Sequence, residues 1–145
     1  MILQRNLLTV PLFGKSSGTR SILGRYKPRN RSKLLNKSRK VTYRSMWERK
    51  VMLYCDRSPS VQSWGSENIA IPYYDSENEK WRTYYPDFVI NYYDDHGRLN
   101  CKIVEVKPYQ QINWQINKDK WNAARKYCHV HGYSFQVLTE KEIKP

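Results

Sequence analysis

The chain has 145 residues and a formal net charge of +13, enough for one compact domain with an extension. Eleven of its 26 Lys and Arg fall in residues 1–43, where there is no acid, and the other 15 nearly balance the 13 acids of the remainder. The surplus charge therefore belongs to a leading arm and points to a polyanion, nucleic acid first. The near-neutral body argues against a wholly basic RNA-binding protein of ribosomal type, and no apolar run approaches the roughly 20 residues needed to span a membrane.

In chain order, residues 1–43 show no sustained hydrophobic period. GKSSGTRS and KPRNRSK read as solvated, largely extended chain. Its Arg and Ser content and lack of acid resemble an organellar transit peptide, but the basic run continues unbroken to Lys40, where a DNA-binding arm would place it. Arg25, Lys27, Arg29, Arg31, Lys33, Lys37, Arg39, Lys40 and Arg44 are the expected nucleic-acid contacts. The domain boundary falls near Tyr43, giving an arm over 1–43 and a folded domain over 44–145.

RSMWERKVMLYCDRS predicts a helix. Ser45 stands at its N-cap with Glu48 three residues on, and Trp47, Val51, Tyr54 and Cys55 share a face. VQSWG, ENIAIPYY, KWRTYYPDFVINYY and RLNCKIVEVKP read as β segments. Residues 113–130 predict a second helix stopped by Gly132, YSFQVLT a strand, and TEKEI a last turn capped by Thr139 and Glu142. This order indicates a mixed α/β (α+β) domain, a mixed sheet with helices against it.

The chemistry concentrates in PDFVINYYDDHGRLNCKIVEVKP. With Asp94 to Arg98 as a five-residue loop containing Gly97, antiparallel partners carry numbers summing to about 192, which sets Asp87 opposite Glu105. Alternation sends Glu105 and Lys107 to one face and Val104 and Val106 to the other. Opposed carboxylates destabilise a sheet unless they hold a proton or a cation. Mg²⁺ suits them, because it accepts one or two carboxylates and keeps waters for the rest of its shell. Such an ion with Lys107 beside it points to phosphodiester hydrolysis. Glu48 reads equally as half of a capping box or as a third metal-facing carboxylate. Cys55, Cys101 and Cys128 form no C-x-x-C pair, which argues against a disulfide framework or zinc ribbon and fits a reducing compartment. Cys128, His129 and His131 lack a second ligand pair and read as a helix end.

Pro86-Asp87 followed by Glu105-Val106-Lys107 resembles the PD-(D/E)xK nuclease signature. YRSMWERKVMLYCDRSPSVQSW, RTYYPDF, IVEVKP and KWNAARKYCHVHGYSFQVLTEKEI together resemble TnsA-type transposon endonucleases over about residues 43–143. Small size, a basic leading arm and the lack of other domains look most like the head completion nucleases of T4-like phages. The TnsA pattern can have Gln where this chain has Glu105, which brings it nearer the superfamily consensus. The resemblance implies a restriction-endonuclease-like core with a mixed central sheet flanked by helices. It also implies Glu48, Asp87, Glu105 and Lys107 as the site, Mg²⁺ (or Mn²⁺) dependence and double-stranded DNA as substrate. For the phage proteins it further implies action after DNA packaging in the host cytoplasm or on the virion, with portal, neck or head proteins as partners. The competing expectation is a structural DNA-binding virion protein whose nuclease-like core is inactive.

Overall fold

The computed structural model describes residues 21–37 and 40–143, and a four-stranded sheet runs through its centre. The elements are β1 (Gly24–Arg25), β2 (Thr42–Tyr43), α1 (Met46–Arg57), β3 (Val61–Ser66), β4 (Ile71–Asp75), β5 (Lys80–Tyr84), β6 (Phe88–Tyr93), β7 (Leu99–Val106), α2 (Gln115–His131) and β8 (Ser134–Leu138). The sheet order is β3-β6-β7-β8. The first two pairings are antiparallel and the third is parallel, with α2 supplying the crossover that a parallel neighbour requires. The mixed sheet expected from the element order is present.

Period-two alternation splits the core into two layers. Phe88, Ile90, Val104 and Val106 turn to one face and pack with Val51, Met52 and Cys55 of α1 and with Trp64. Val89, Cys101 and Ile103 turn to the other, against Trp121, Ala124 and Cys128 of α2 and Ile71 and Tyr73 of β4. β4 and β5 form their own two-stranded ribbon, packed against α2. The single β segment expected over 80–93 is therefore two strands. The break falls at Tyr85-Pro86-Asp87, where Pro86 has no N–H for a ladder.

The local signals hold where hydrogen bonds stay local. Ser45 Oγ accepts the Glu48 N–H at 3.1 Å and starts α1. Gly132 ends α2 in the left-handed region, at φ 73° and ψ 25°, with the Tyr133 N–H on the Cys128 carbonyl at 2.8 Å. Thr139 and Glu142 form the last capping turn, with the Thr139 N–H on Glu142 Oε1 at 2.7 Å. Cys128 packs into the core, and His131 lies against the Tyr127 and Tyr133 rings, consistent with a helix end. All three cysteines are buried and unbonded to one another. Among the described residues no helix is long and apolar enough to cross a membrane.

The basic arm is where composition and structure part. Residues 1–20, 38 and 39, including Arg39, lie outside the described residues. Residues 21–37 and 40–43 form a strap built into the domain rather than an extended lead. β1 pairs with β2, Leu34 bridges Trp64, and Tyr26, Leu34 and Val41 are buried in the α1-side core. The physical reason is that three apolar side chains spaced through a charged run show no period, yet each finds an apolar partner in the folded state. The Asp56 carboxylate pins this strap. It accepts the Tyr26 hydroxyl at 2.7 Å and the N–H groups of Arg29 and Asn30 at 2.7 and 2.8 Å.

Candidate active site

The β6–β7 hairpin has the register that the loop length dictates. Phe88 faces Val104, Ile90 faces Lys102 and Tyr93 faces Leu99, with residues 94–98 as the loop and Gly97 at φ 73°. Asp94 fastens the loop by accepting the N–H groups of His96 and Arg98 at 2.9 and 3.0 Å. One rung beyond Phe88 and Val104 the same count places Asp87 across from Glu105.

At that rung the backbone ladder gives way to side chains. Asp87 Oδ2 accepts the Val106 N–H at 2.8 Å, and the Asp87 carbonyl accepts the Glu67 N–H at 3.0 Å. β7 remains anchored on its other side, where the Lys107 N–H reaches the Leu138 carbonyl at 2.9 Å. Both carboxylates are buried, Asp87 at 5% and Glu105 at 2% exposure. Lys107 Nζ lies 3.2 Å from Glu105 Oε2. The structure thus brings Asp87, Glu105 and Lys107 to one end of the hairpin.

The sequence reading omitted Tyr84. This residue ends β5, is buried, and donates its hydroxyl to Glu105 Oε1 at 2.7 Å. Burial, then the negative charges of Glu105 and Asp87, hold the phenol well above its ordinary pKa of 10, so it stays a donor at neutral pH. Glu105 is therefore gripped from two sides, by the Tyr84 hydroxyl on one oxygen and the Lys107 ammonium on the other. The only sequence signal for Tyr84 was its place three residues before Asp87. Tyr84→Phe is expected to lower stability by about 1–2 kcal/mol, because it removes a buried donor from a carboxylate. Urea unfolding measures it, and an unchanged midpoint would deny Tyr84 this role.

Glu48 stands at the start of α1, buried, with Oε1 accepting the Arg44 N–H at 2.9 Å. That is a capping contact displaced by one residue from the Ser45 N-cap. Among the described residues no three His, Cys, Asp or Glu side chains gather at one point, and the Arg44 contact takes one of the two Glu48 oxygens. Asp87 and Glu105 by themselves offer a pair of carboxylates, which fits a hard cation that keeps several waters.

The predicted nucleic-acid residues separate into two groups. Lys33 Nζ is bound to the carbonyls of Asp56 and Ser58 at 3.1 and 2.8 Å, and Arg44 pairs with Glu67 at 3.2 Å, so both hold the fold. Arg25, Lys27, Arg31, Lys37 and Lys40 line a cleft of about 440 Å³ on the strap. A neighbouring cleft of about 330 Å³ takes Arg25, Lys27 and Arg29 together with Arg49 and Arg57 of α1, two cations the sequence reading left out.

Comparison with known proteins agrees with this geometry. The TnsA-like endonuclease N-terminal family matches residues 58–140, a span that holds Tyr84, Asp87, Glu105 and Lys107 and leaves out Glu48 and the strap. The chain is also 29% identical over 143 residues to the head completion nuclease of Enterobacteria phage T4, covering 83% of this chain and 93% of that protein. With more than half of its length matched and a mixed sheet flanked by helices beneath the match, this chain belongs to the TnsA-like endonuclease N-terminal family.

Proposed function

We propose that this chain is a divalent-metal-dependent DNA endonuclease, with Asp87 and Glu105 as the carboxylates that hold the ion and Lys107 as the cation facing the phosphodiester. The observation that carries this reading is the junction at the end of the hairpin: two buried carboxylates, Asp87 held by the Val106 N–H beside Glu105, with an ammonium 3.2 Å from Glu105. Mg²⁺ fits this donor set, and Mn²⁺ accepts the same oxygen ligands. A bound ion would supply charge stabilisation at a phosphate oxygen and acidify a bound water.

The chain's own residues do the rest. The Val106 N–H fixes the Asp87 carboxylate, and the Tyr84 hydroxyl fixes that of Glu105, so neither has to reorganise when substrate arrives. Lys107 offsets the charge of Glu105 in the resting site. With DNA bound its ammonium orients the attacking water or balances charge on the phosphate. The Arg44 N–H holds Glu48 through Oε1 and leaves Oε2 as the oxygen that would turn to the site. The likeness to the phage T4 head completion nuclease supports a nuclease role in head completion; the reading extends to action after packaging, on double-stranded DNA, with portal, neck or head proteins as partners. The place of action is then the cytoplasm of the infected host or the virion itself.

The test incubates the full chain with supercoiled plasmid and Mg²⁺, beside an EDTA control, Lys107→Ala and Glu48→Gln. Cleavage should require the metal and fall on the order of 100-fold or more in Lys107→Ala. A wild type no faster than Lys107→Ala would overturn the catalytic reading and leave the structural virion protein. Gln at position 48 still accepts the Arg44 N–H but carries no charge. Near-normal cutting by that variant confines Glu48 to capping, and lost cutting assigns it to the site.

A further inference from the structure

The strap carries more cationic surface than its fold uses. Arg25, Lys27, Arg31 and Lys40 are exposed and converge on the 440 Å³ cleft beside Lys37, whose Nζ also donates to the Arg31 and Ser32 carbonyls at 3.1 and 3.2 Å, and no acid is among its described lining residues. Like charges held this close repel one another, so the arrangement is favourable once an anion enters. Nor is the cleft a floppy arm that a ligand must order. Its base is made of the buried Tyr26, Leu34 and Val41. Its backbone is tied by the Leu35 N–H to the Trp64 carbonyl at 2.7 Å and by the Asp56 pin. Burial opposes ionisation of Asp56, but the bonds from Tyr26, Arg29 and Asn30 and the charge of Lys33 outweigh it and hold the carboxyl below its ordinary range. The Asp56 charge is thus consumed within the strap.

The lining chemistry selects the ligand class. All five charged side chains in the cleft are Lys or Arg, the Tyr26 hydroxyl is spent on Asp56, and no amide or exposed aromatic ring is there to read a base edge. Arg25 and Lys27 also line the second cleft, so the cations continue past the strap to Arg49 and Arg57. A continuous track suits a chain of phosphates better than a single one. We propose that the folded strap is a preformed seat for the sugar-phosphate backbone of DNA, binding without regard to sequence. The choice of DNA as the source of phosphate rests on the nuclease reading above; the seat itself rests on the strap.

The test measures anisotropy of a labelled duplex with the full chain in EDTA, where no cutting occurs, across a salt series. The triple variant Arg25→Gln, Lys27→Gln, Lys40→Gln keeps every buried strap residue. It should lose about 10-fold or more in affinity at low salt, with the slope of log K against log salt shallower by about 2–3. A control triple, Lys80→Gln, Lys118→Gln, Lys126→Gln, removes the same charge from exposed positions on β5 and α2 and should bind nearly as wild type. Equal losses in the two triples would overturn the seat and leave only bulk charge. Displacement of the duplex by inorganic phosphate at an ionic strength where chloride has no effect would also overturn it, in favour of a single-phosphate pocket. A wild type that binds as expected but never cuts plasmid would sink the nuclease reading and leave the seat standing.

Discussion

Asp87→Asn is expected to reduce DNA cleavage by on the order of 100- to 1,000-fold while moving the melting temperature by no more than a few degrees. The two effects separate because Asp87 has two tasks. Its Oδ2 accepts the Val106 N–H at 2.8 Å, a bond that an Asn carbonyl can also accept. Its negative charge, which acts together with that of Glu105 on the buried Tyr84, is what the substitution removes. With one carboxylate left, the pair no longer offers two anionic ligands, and the charge stabilisation a divalent ion would bring is lost with it. Asp87→Ala would lose the charge and also leave the Val106 N–H buried without its acceptor, at a cost of about 1–3 kcal/mol, so its lost activity would be harder to interpret. Plasmid cleavage rates and thermal melts on the Asn variant decide the matter. Cutting within a few-fold of wild type would remove Asp87 from the site.

The largest stability effect is expected at Asp56, far in sequence from the strap it holds. Asp56→Ala orphans the Tyr26 hydroxyl and two backbone N–H groups at once and should cost about 3 kcal/mol or more. Asp56→Asn restores part of the acceptor capacity and should cost less. The folded-state pKa of Asp56 is depressed, so its contribution is complete above the unfolded carboxylate value of about 3.9 and fades as pH falls toward the folded value. Urea unfolding should therefore show the advantage of wild type over Asp56→Asn steady near neutral pH and shrinking below about pH 4. A difference that stays constant down to pH 3 would show that Asp56 acts through shape and not charge. A deletion of residues 1–40 would be a poor substitute for point changes, since it strips Tyr26 and Leu34 from the core together with the cations.

How much of this was legible in the sequence follows the range of the interaction. The hairpin was readable because a five-residue loop and strict alternation leave few registers, and the observed pairs sum to 192 as the loop length required. Helix ends were readable for the same reason, since Ser45, Gly132 and Thr139 act on neighbours within a few residues. Glu48 shows where local reading stops. A capping box and a site residue are written with the same letters, and the Arg44 N–H on its Oε1 is visible only in three dimensions. KWRTYYPDFVINYY also misled as a single strand, because both halves carry β-formers; Pro86 marks the break locally, and the packing of β4 and β5 on α2 takes the first half into a separate ribbon.

The sequence by itself determined the mixed domain, the hairpin register and the meeting of Asp87, Glu105 and Lys107, all consequences of periodicity, turn length and charge over a short span. Tertiary structure decided what surrounds them. It brought Tyr84 onto Glu105 across 21 positions and Tyr26 onto Asp56 across 30. It turned half of a basic arm into a folded strap and divided its cations between holding the fold and lining a cleft. Such contacts leave no period in the chain, because a buried carboxylate takes donors from whichever segments the core packs beside it.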